Sequence, residues 1–98
     1  MLEYTPKLSR EERSFLIATY NNSSVMNARE GGVNKTINFV LWAMANPAYS
    51  HLYGEIEAGL EEFGLVNIRT IMTSHGLKDF ILITEEGLKS IDGKVTLH

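Results

Sequence analysis

Apolar residues recur along this chain at two different periods, and each change of period marks an element boundary. Phe15, Leu16 and the Thr19-Tyr20 pair fall on one side of a helical repeat, which predicts a helix over residues 10–20. Ser9 and Glu12 stand at the capping-box spacing, where each side chain satisfies the other's backbone N–H. The Asn21-Asn22-Ser23-Ser24 run is expected to end that helix. Val25-Met26 then reads as a short strand, or residues 24–29 as a helical turn, and Gly31-Gly32 breaks either. Asn34 is placed to cap an apolar helix over residues 35–46, with Ile37, Val40, Leu41 and Met44 at core spacing and Asn46-Pro47 as its stop. Ser50 is placed to cap the next helix, residues 51–63, with Leu52, Ile56, Leu60 and Phe63 inward.

From Gly64 onward the period changes. Gly64 sits where a helix closes in a left-handed cap. Residues 65–71 are rich in β-branched side chains, and apolar and polar positions alternate from Val66 to Thr70. Ser74-His75-Gly76 supplies a turn, and Phe80-Ile81-Leu82-Ile83 the returning strand. Thr84 followed by Glu85 and Glu86 offers an N-cap with carboxylates in the first helical turn, where the helix dipole favours them. Residues 90–96 read as a polar tail, with a turn at Asp92-Gly93 and an edge strand at Val95-Thr96-Leu97, and residues 1–7 as a loose lead-in.

The words LEEFGLV and IRTIMTSHGLKDFILITEEGL resemble the "LE-x-x-GLV … wing … LTEKG" signature of small repressors of the MarR and PadR kinds. The likeness covers roughly the last 40 residues and is a fold-level motif. It implies an α+β winged helix-turn-helix. Such a fold has a three-helix core, a two- to three-stranded β-wing over residues 65–84 and a short C-terminal helix, in one domain spanning residues 1–98. It further implies a non-enzymatic DNA-binding transcriptional regulator, a repressor that dimerises through its terminal helices. In such a fold the helix before the wing enters the major groove.

Composition narrows this reading. The 98 residues suit one domain, 44% are hydrophobic, and no cysteine is present, which removes disulfides and thiolate chemistry. The N-terminus lacks an apolar segment and the longest apolar run, residues 39–45, is too short to span a bilayer, so the expectation is a cytoplasmic protein with no membrane partner. A net charge of −3 runs against the basic excess usual in nucleic-acid binders, so everything turns on where the nine Lys and Arg fall.

On that resemblance Ser50, His51 and Tyr53 are expected to begin the groove-facing helix, Arg69, His75 and Lys78 to make the wing's phosphate contacts, and Arg29 and Lys35 to flank them on the backbone. Glu55, Glu57, Glu61 and Glu62 are read on the outward face of the same helix and oppose phosphate. A second register exists: GGVNKTINFVL resembles the GVSKSTISRVL turn and helix of other repressors, and would send Lys35, Thr36 and Asn38 into the groove. A homodimer is expected to bury Tyr4, Phe15 or Trp42. His51 and Glu55 share a helical face, with His75 as a conceivable third metal ligand, but no motif spacing joins them; no cofactor, metal or catalytic group is assigned. The rival reading is a protein-interaction winged helix whose acidic face docks a basic partner. Gathering of Arg29, Lys35, Arg69 and Lys78 favours DNA; dominance of the four glutamates favours the rival.

Overall fold

The computed structural model describes residues 8–26 and 32–96. Its elements run α1 (Arg10–Met26), β1 (Val33–Asn34), α2 (Lys35–Ala45), a single 3-10 turn (Ser50–Leu52), α3 (Tyr53–Glu62), β2 (Val66–Thr73), β3 (Gly76–Ile83) and α4 (Glu85–Thr96). The class is α+β: among the described residues, four helices pack with a three-stranded antiparallel sheet of order β1-β3-β2.

The expected caps at Ser9, Asn34, Gly64 and Thr84 form, while the one expected at Ser50 does not. Ser9 N donates to Glu12 Oε1 at 2.9 Å while Glu12 N donates to Ser9 Oγ at 3.1 Å. Asn34 Oδ1 accepts from Thr36 N at 2.9 Å and opens α2. Gly64, at φ 79°, turns the chain from α3 into β2 through the left-handed region that a Cβ disfavours. Thr84 Oγ1 donates to Gly64 O at 2.7 Å and accepts from Gly87 N at 3.0 Å, so one hydroxyl ties the start of α4 to the end of α3. A Cβ on Gly87 would fall onto the Leu65 carbonyl oxygen and the Ile83 side chain. Because backbone cannot yield there, Gly87→Ala should destabilise the fold by about 2 kcal/mol or more, read as a lowered denaturation midpoint.

Several boundaries differ from the sequence expectation. Helix α1 runs through Asn21-Asn22-Ser23-Ser24 to Met26, so Val25-Met26 is helix and not strand. Asn and Ser each weaken a helix by only roughly half a kcal/mol, and no Gly or Pro interrupts this stretch. The strand that pairs with the hairpin is instead Val33–Asn34, with Val33 opposite Ile81 and Asn34 opposite Phe80. Residues 90–96 continue α4 instead of forming a tail with an edge strand. Gly93 alone, at about 1 kcal/mol, is insufficient to break a helix anchored by buried Ile91. The 1–7 lead-in, Tyr4, Arg29 and Leu97 lie outside the described residues.

The core joins Phe15 and Leu16 of α1, Val33, Trp42, Tyr53, Ile56, Leu60, Leu65, Val66, Ile81 and Ile91. Aromatic rings lie at its centre: Phe15 is 5.6 Å from Trp42 and 5.0 Å from Tyr53, centroid to centroid. Phe15 and Trp42 are therefore buried within one chain and unavailable to a dimer interface. Helix α2 also presents the opposite face from the one its periodicity suggested. Asn38 and Trp42 point inward, while Val40, Leu41 and Met44 are exposed. A helix apolar nearly all the way round carries no phase signal, and burying the largest ring decides its orientation.

Candidate nucleic-acid interface

The 3-10 turn before α3 sets which side chains that helix offers. Ser50 Oγ donates to the Pro47 carbonyl at 3.3 Å instead of capping, and α3 begins only at Tyr53. A 3-10 turn winds more tightly than an α-helix, so a phase extrapolated from Leu52 arrives rotated. The buried face is accordingly Tyr53, Ile56, Glu57 and Leu60, while Phe63 is exposed.

Tyr53 and Glu57 thus leave the outward face on which the sequence reading placed them. Tyr53 is 7% exposed, its hydroxyl donating to Lys35 O at 3.2 Å and accepting from Asn38 Nδ2 at 3.5 Å. Burial pushes its phenol up to about 12, against the lowering effect of the Asn38 bond. Tyr53 is a core residue and not a groove contact. Asn38 is buried beside it, which also removes the second register's reading of α2 as the groove helix.

Lys35 Nζ lies 3.2 Å from Glu57 Oε1, and the Glu57 side chain is only 10% exposed. The two charges compensate one another, so Lys35, though its side chain is 36% exposed, is paired with Glu57 and not an unpaired cation on the surface. Desolvation by burial nevertheless dominates at Glu57 and raises its carboxyl above the ordinary value, with the Lys35 hydrogen bond and charge opposing and Glu61 and Asp79 adding repulsion. A carboxyl raised on folding contributes stability in its neutral form. That contribution is fully present below the ordinary glutamate range and disappears as pH rises through the folded value. Glu57→Gln should therefore gain stability relative to the parent as pH rises, and the difference should vanish in acid; chemical denaturation across a pH series reads it directly.

What remains exposed on α3 and its leading turn is His51, Gly54, Glu55, Ala58, Glu61 and Glu62. Glu61 and Glu62 stand at the C-terminal end, so the leading half carries one free carboxylate, Glu55, beside His51.

The hairpin supplies the cationic side chains. Its register pairs Arg69 with Phe80 and Ile71 with Lys78, and pairs Thr70 with Asp79 and Met72 with Leu77. Directly opposed residues share a face and successive residues alternate. Arg69, Ile71, Lys78 and Phe80 therefore occupy one face, and Asp79 the other, where Thr70 Oγ1 donates to its Oδ1 at 2.7 Å. Arg69 and Lys78 are diagonal neighbours, about 7–8 Å apart along that face. No carboxylate shares it in β2 or β3.

A shallow open cleft of about 450 Å³ lies between the hairpin tip and the start of α2. Its walls are Asn34 and Ile37 on one side and Met72, Thr73, Ser74, His75, Lys78 and Phe80 on the other, without a carboxylate. The turn that shapes it is locked by Thr73, whose Oγ1 donates to Gly76 O at 2.7 Å and accepts from His75 N at 3.1 Å. The structure thus brings His75 and Lys78 together with Asn34, which the sequence reading treated mainly as a cap. Its cue was the pairing of β1 with β3, and a two-residue strand is too short to leave a periodic signal. Arg69 shares the hairpin face with this cleft, and Lys35 does not line it. Of the four cations named from sequence, Arg29 lies outside the described residues, Lys35 is paired with Glu57, and Arg69 and Lys78 share the hairpin face; Glu57 is likewise withdrawn from the exposed glutamates.

Among the described residues no group of three His, Asp or Glu side chains is placed to hold one metal ion. No helix of the described residues is long and apolar enough to cross a membrane. No protein-family model, curated protein or solved structure matches the chain.

Proposed function

We propose that this protein is a winged-helix, non-enzymatic regulator of transcription that binds double-stranded DNA. The element order supports it: helix, short strand, two helices, hairpin and helix, with the short strand paired to the hairpin. The observation that carries the reading is the carboxylate-free cleft at the hairpin tip, where Lys78, His75, Ser74 and Asn34 converge. A phosphate oxygen is satisfied by such a set: one fixed cation, a titratable ring and neutral hydrogen-bond donors. Arg69 extends the same face along the duplex. His51 in the 3-10 turn and the small Gly54 in the first turn of α3 lead, and the N-terminal residues of such a helix are the ones that reach base edges. Glu61 and Glu62 sit at the far end, outside the part that enters a groove. The cysteine-free composition fits action in the reducing cytoplasm.

Fluorescence anisotropy with a labelled random-sequence duplex tests this. Binding is expected at low salt, with affinity falling as salt rises because neutralised phosphates release their counterions. No binding at low salt defeats the reading.

A second reading has its own observation. His51 of the leading turn and Glu55, Ala58 and Glu62 of α3 are exposed at i, i+4, i+7, i+11 spacing, and α3 carries no Lys or Arg. That surface suits a basic protein partner. The two readings separate by mutation: Glu55→Gln with Glu62→Gln leaves or improves duplex binding if DNA is the ligand, and abolishes the interaction if a basic protein is.

A further inference from the structure

We infer, on the duplex-binding reading above, that Met72 and Leu77 at the hairpin tip form an apolar wedge that enters between stacked base pairs and kinks the DNA. Met72 is 70% exposed and Leu77 65%. The register sets them directly opposite one another, one pair back from the Thr73–Gly76 pair that closes the turn. Side chains so opposed have Cβ atoms roughly 4.5–5.5 Å apart and stand together as one blunt edge. They add nothing to the core, whose members on β3 are Phe80 and Ile81. The tip also holds its shape. Thr73 Oγ1 joins Gly76 O to His75 N, and Gly76, at φ 101°, takes the left-handed conformation of the turn. A side chain that parts stacked bases needs such a rigid mount, because a floppy one loses the gain to its own ordering.

Charge and size choose the occupant. Residues 71–78 contain no Asp or Glu and include His75 and Lys78. Asp79, the one acid of the hairpin, stands behind Leu77 on the side away from the turn. Thr70 Oγ1 donates to it at 2.7 Å, and its charge bears on Glu57 of α3. Met72 borders the cleft that Lys78 and His75 line, so the apolar edge adjoins the groups suited to phosphate. The exposed parts of Met72 and Leu77 amount to roughly 250 Å², below the roughly 300–600 Å² of the largest patch on an ordinary monomer and too little to hold a protein. A base step asks for no more. One or two Met, Leu, Ile or Phe side chains inserted from the minor groove unstack it, while neighbouring cations hold the phosphates. An apolar pocket on a protein would leave Lys78 and His75 without partners.

Base steps part at unequal cost. Pyrimidine–purine steps such as TA unstack and kink readily, whereas A-tracts are stiff. The wedge therefore gives this chain a preference for sites that carry a flexible step, with no hydrogen bond to a base edge.

Two duplexes of equal length test it, one with a central TA step and one with an unbroken A-tract, each carrying 2-aminopurine at its centre. The parent chain is expected to bind the TA duplex about tenfold more tightly. It should also raise 2-aminopurine fluorescence there by about twofold or more, the mark of lost stacking. Met72→Ser with Leu77→Ser should abolish both the rise and the preference. The slope of log affinity against log salt should stay as it was, because no phosphate contact is removed. Met44→Ser, at a residue 74% exposed on α2, should change none of these readings. Both tip side chains are exposed, so the double variant keeps its fold, which its denaturation midpoint checks. A duplex bound without the fluorescence rise, or a rise and preference that survive in the double variant, overturns the wedge and leaves the duplex reading standing. No binding of either duplex at low salt overturns both.

Discussion

Reversing both Arg69 and Lys78 to glutamate should lower affinity for a duplex at low salt by about 100-fold or more and leave the fold intact. The magnitude follows from counting charges. Each lost phosphate contact removes about 0.9 from the slope of log affinity against log salt, so two lost contacts make the slope shallower by nearly 2. Reversal then adds two repulsions where two attractions stood, and about 1.4 kcal/mol corresponds to each tenfold change. Both side chains are exposed on the hairpin, in a sheet where β2 is an edge strand. Substitutions of that kind usually change stability by only about half a kcal/mol. Anisotropy reads the affinity and denaturation reads the fold, so a loss of binding cannot be mistaken for unfolding. Retained affinity in the double variant would move the ligand away from the hairpin.

The second large effect is on stability. Trp42→Ala should destabilise the protein by about 4 kcal/mol, a large share of the roughly 5–15 kcal/mol that holds a domain of this kind together. Trp42 is 1% exposed and stands against Phe15 and Tyr53, whose ring centroids are 5.6 Å and 5.9 Å from its own. Its Nε1 donates to Ser14 Oγ at 3.1 Å, and Ser14 passes a bond to Asn46 Oδ1 at 3.4 Å. Asn46 Nδ2 in turn donates to the Trp42 carbonyl at 3.0 Å. Truncation empties the junction of α1, α2 and α3 and leaves this side-chain chain without its first donor. Urea denaturation should show a lower midpoint with a similar slope. A loss under 1 kcal/mol would mean that α2 is not packed on its Trp42 side, and that its apolar stripe faces inward after all.

Much of the fold is legible in the sequence, and the difference lies in how local each signal is. The Ser9–Glu12 box, the Asn34 and Thr84 caps, the Gly64 turn and the hairpin were readable because each rests on residues three or four apart or on strict alternation. The orientation of α2 was not. Ile37, Val40, Leu41 and Met44 form as good a stripe as Asn38 and Trp42 do, and only the aromatic cluster formed with α1 and α3 chooses between them. Tyr53 and Glu57 were misplaced for a related reason: three residues of 3-10 turn shift the helical phase, and that turn has no sequence mark of its own. The candidate site was legible in part. Lys78 and His75 were readable from the turn, while their approach to Asn34 depends on a pairing between β1 and β3 more than 40 positions apart. Lys35 misled because a cation's availability depends on whether a carboxylate faces it, and Glu57 does so from a different helix.

The proposal that a duplex sits against the cleft between the hairpin tip and α2 is tested most directly by amide chemical shifts of isotope-labelled protein during a low-salt titration with duplex DNA. Shifts concentrated at Asn34, Ser74, His75 and Lys78, growing with DNA and reversed by added salt, are the predicted result. Shifts absent from these residues while the duplex perturbs another face, or no shifts at all, would contradict it.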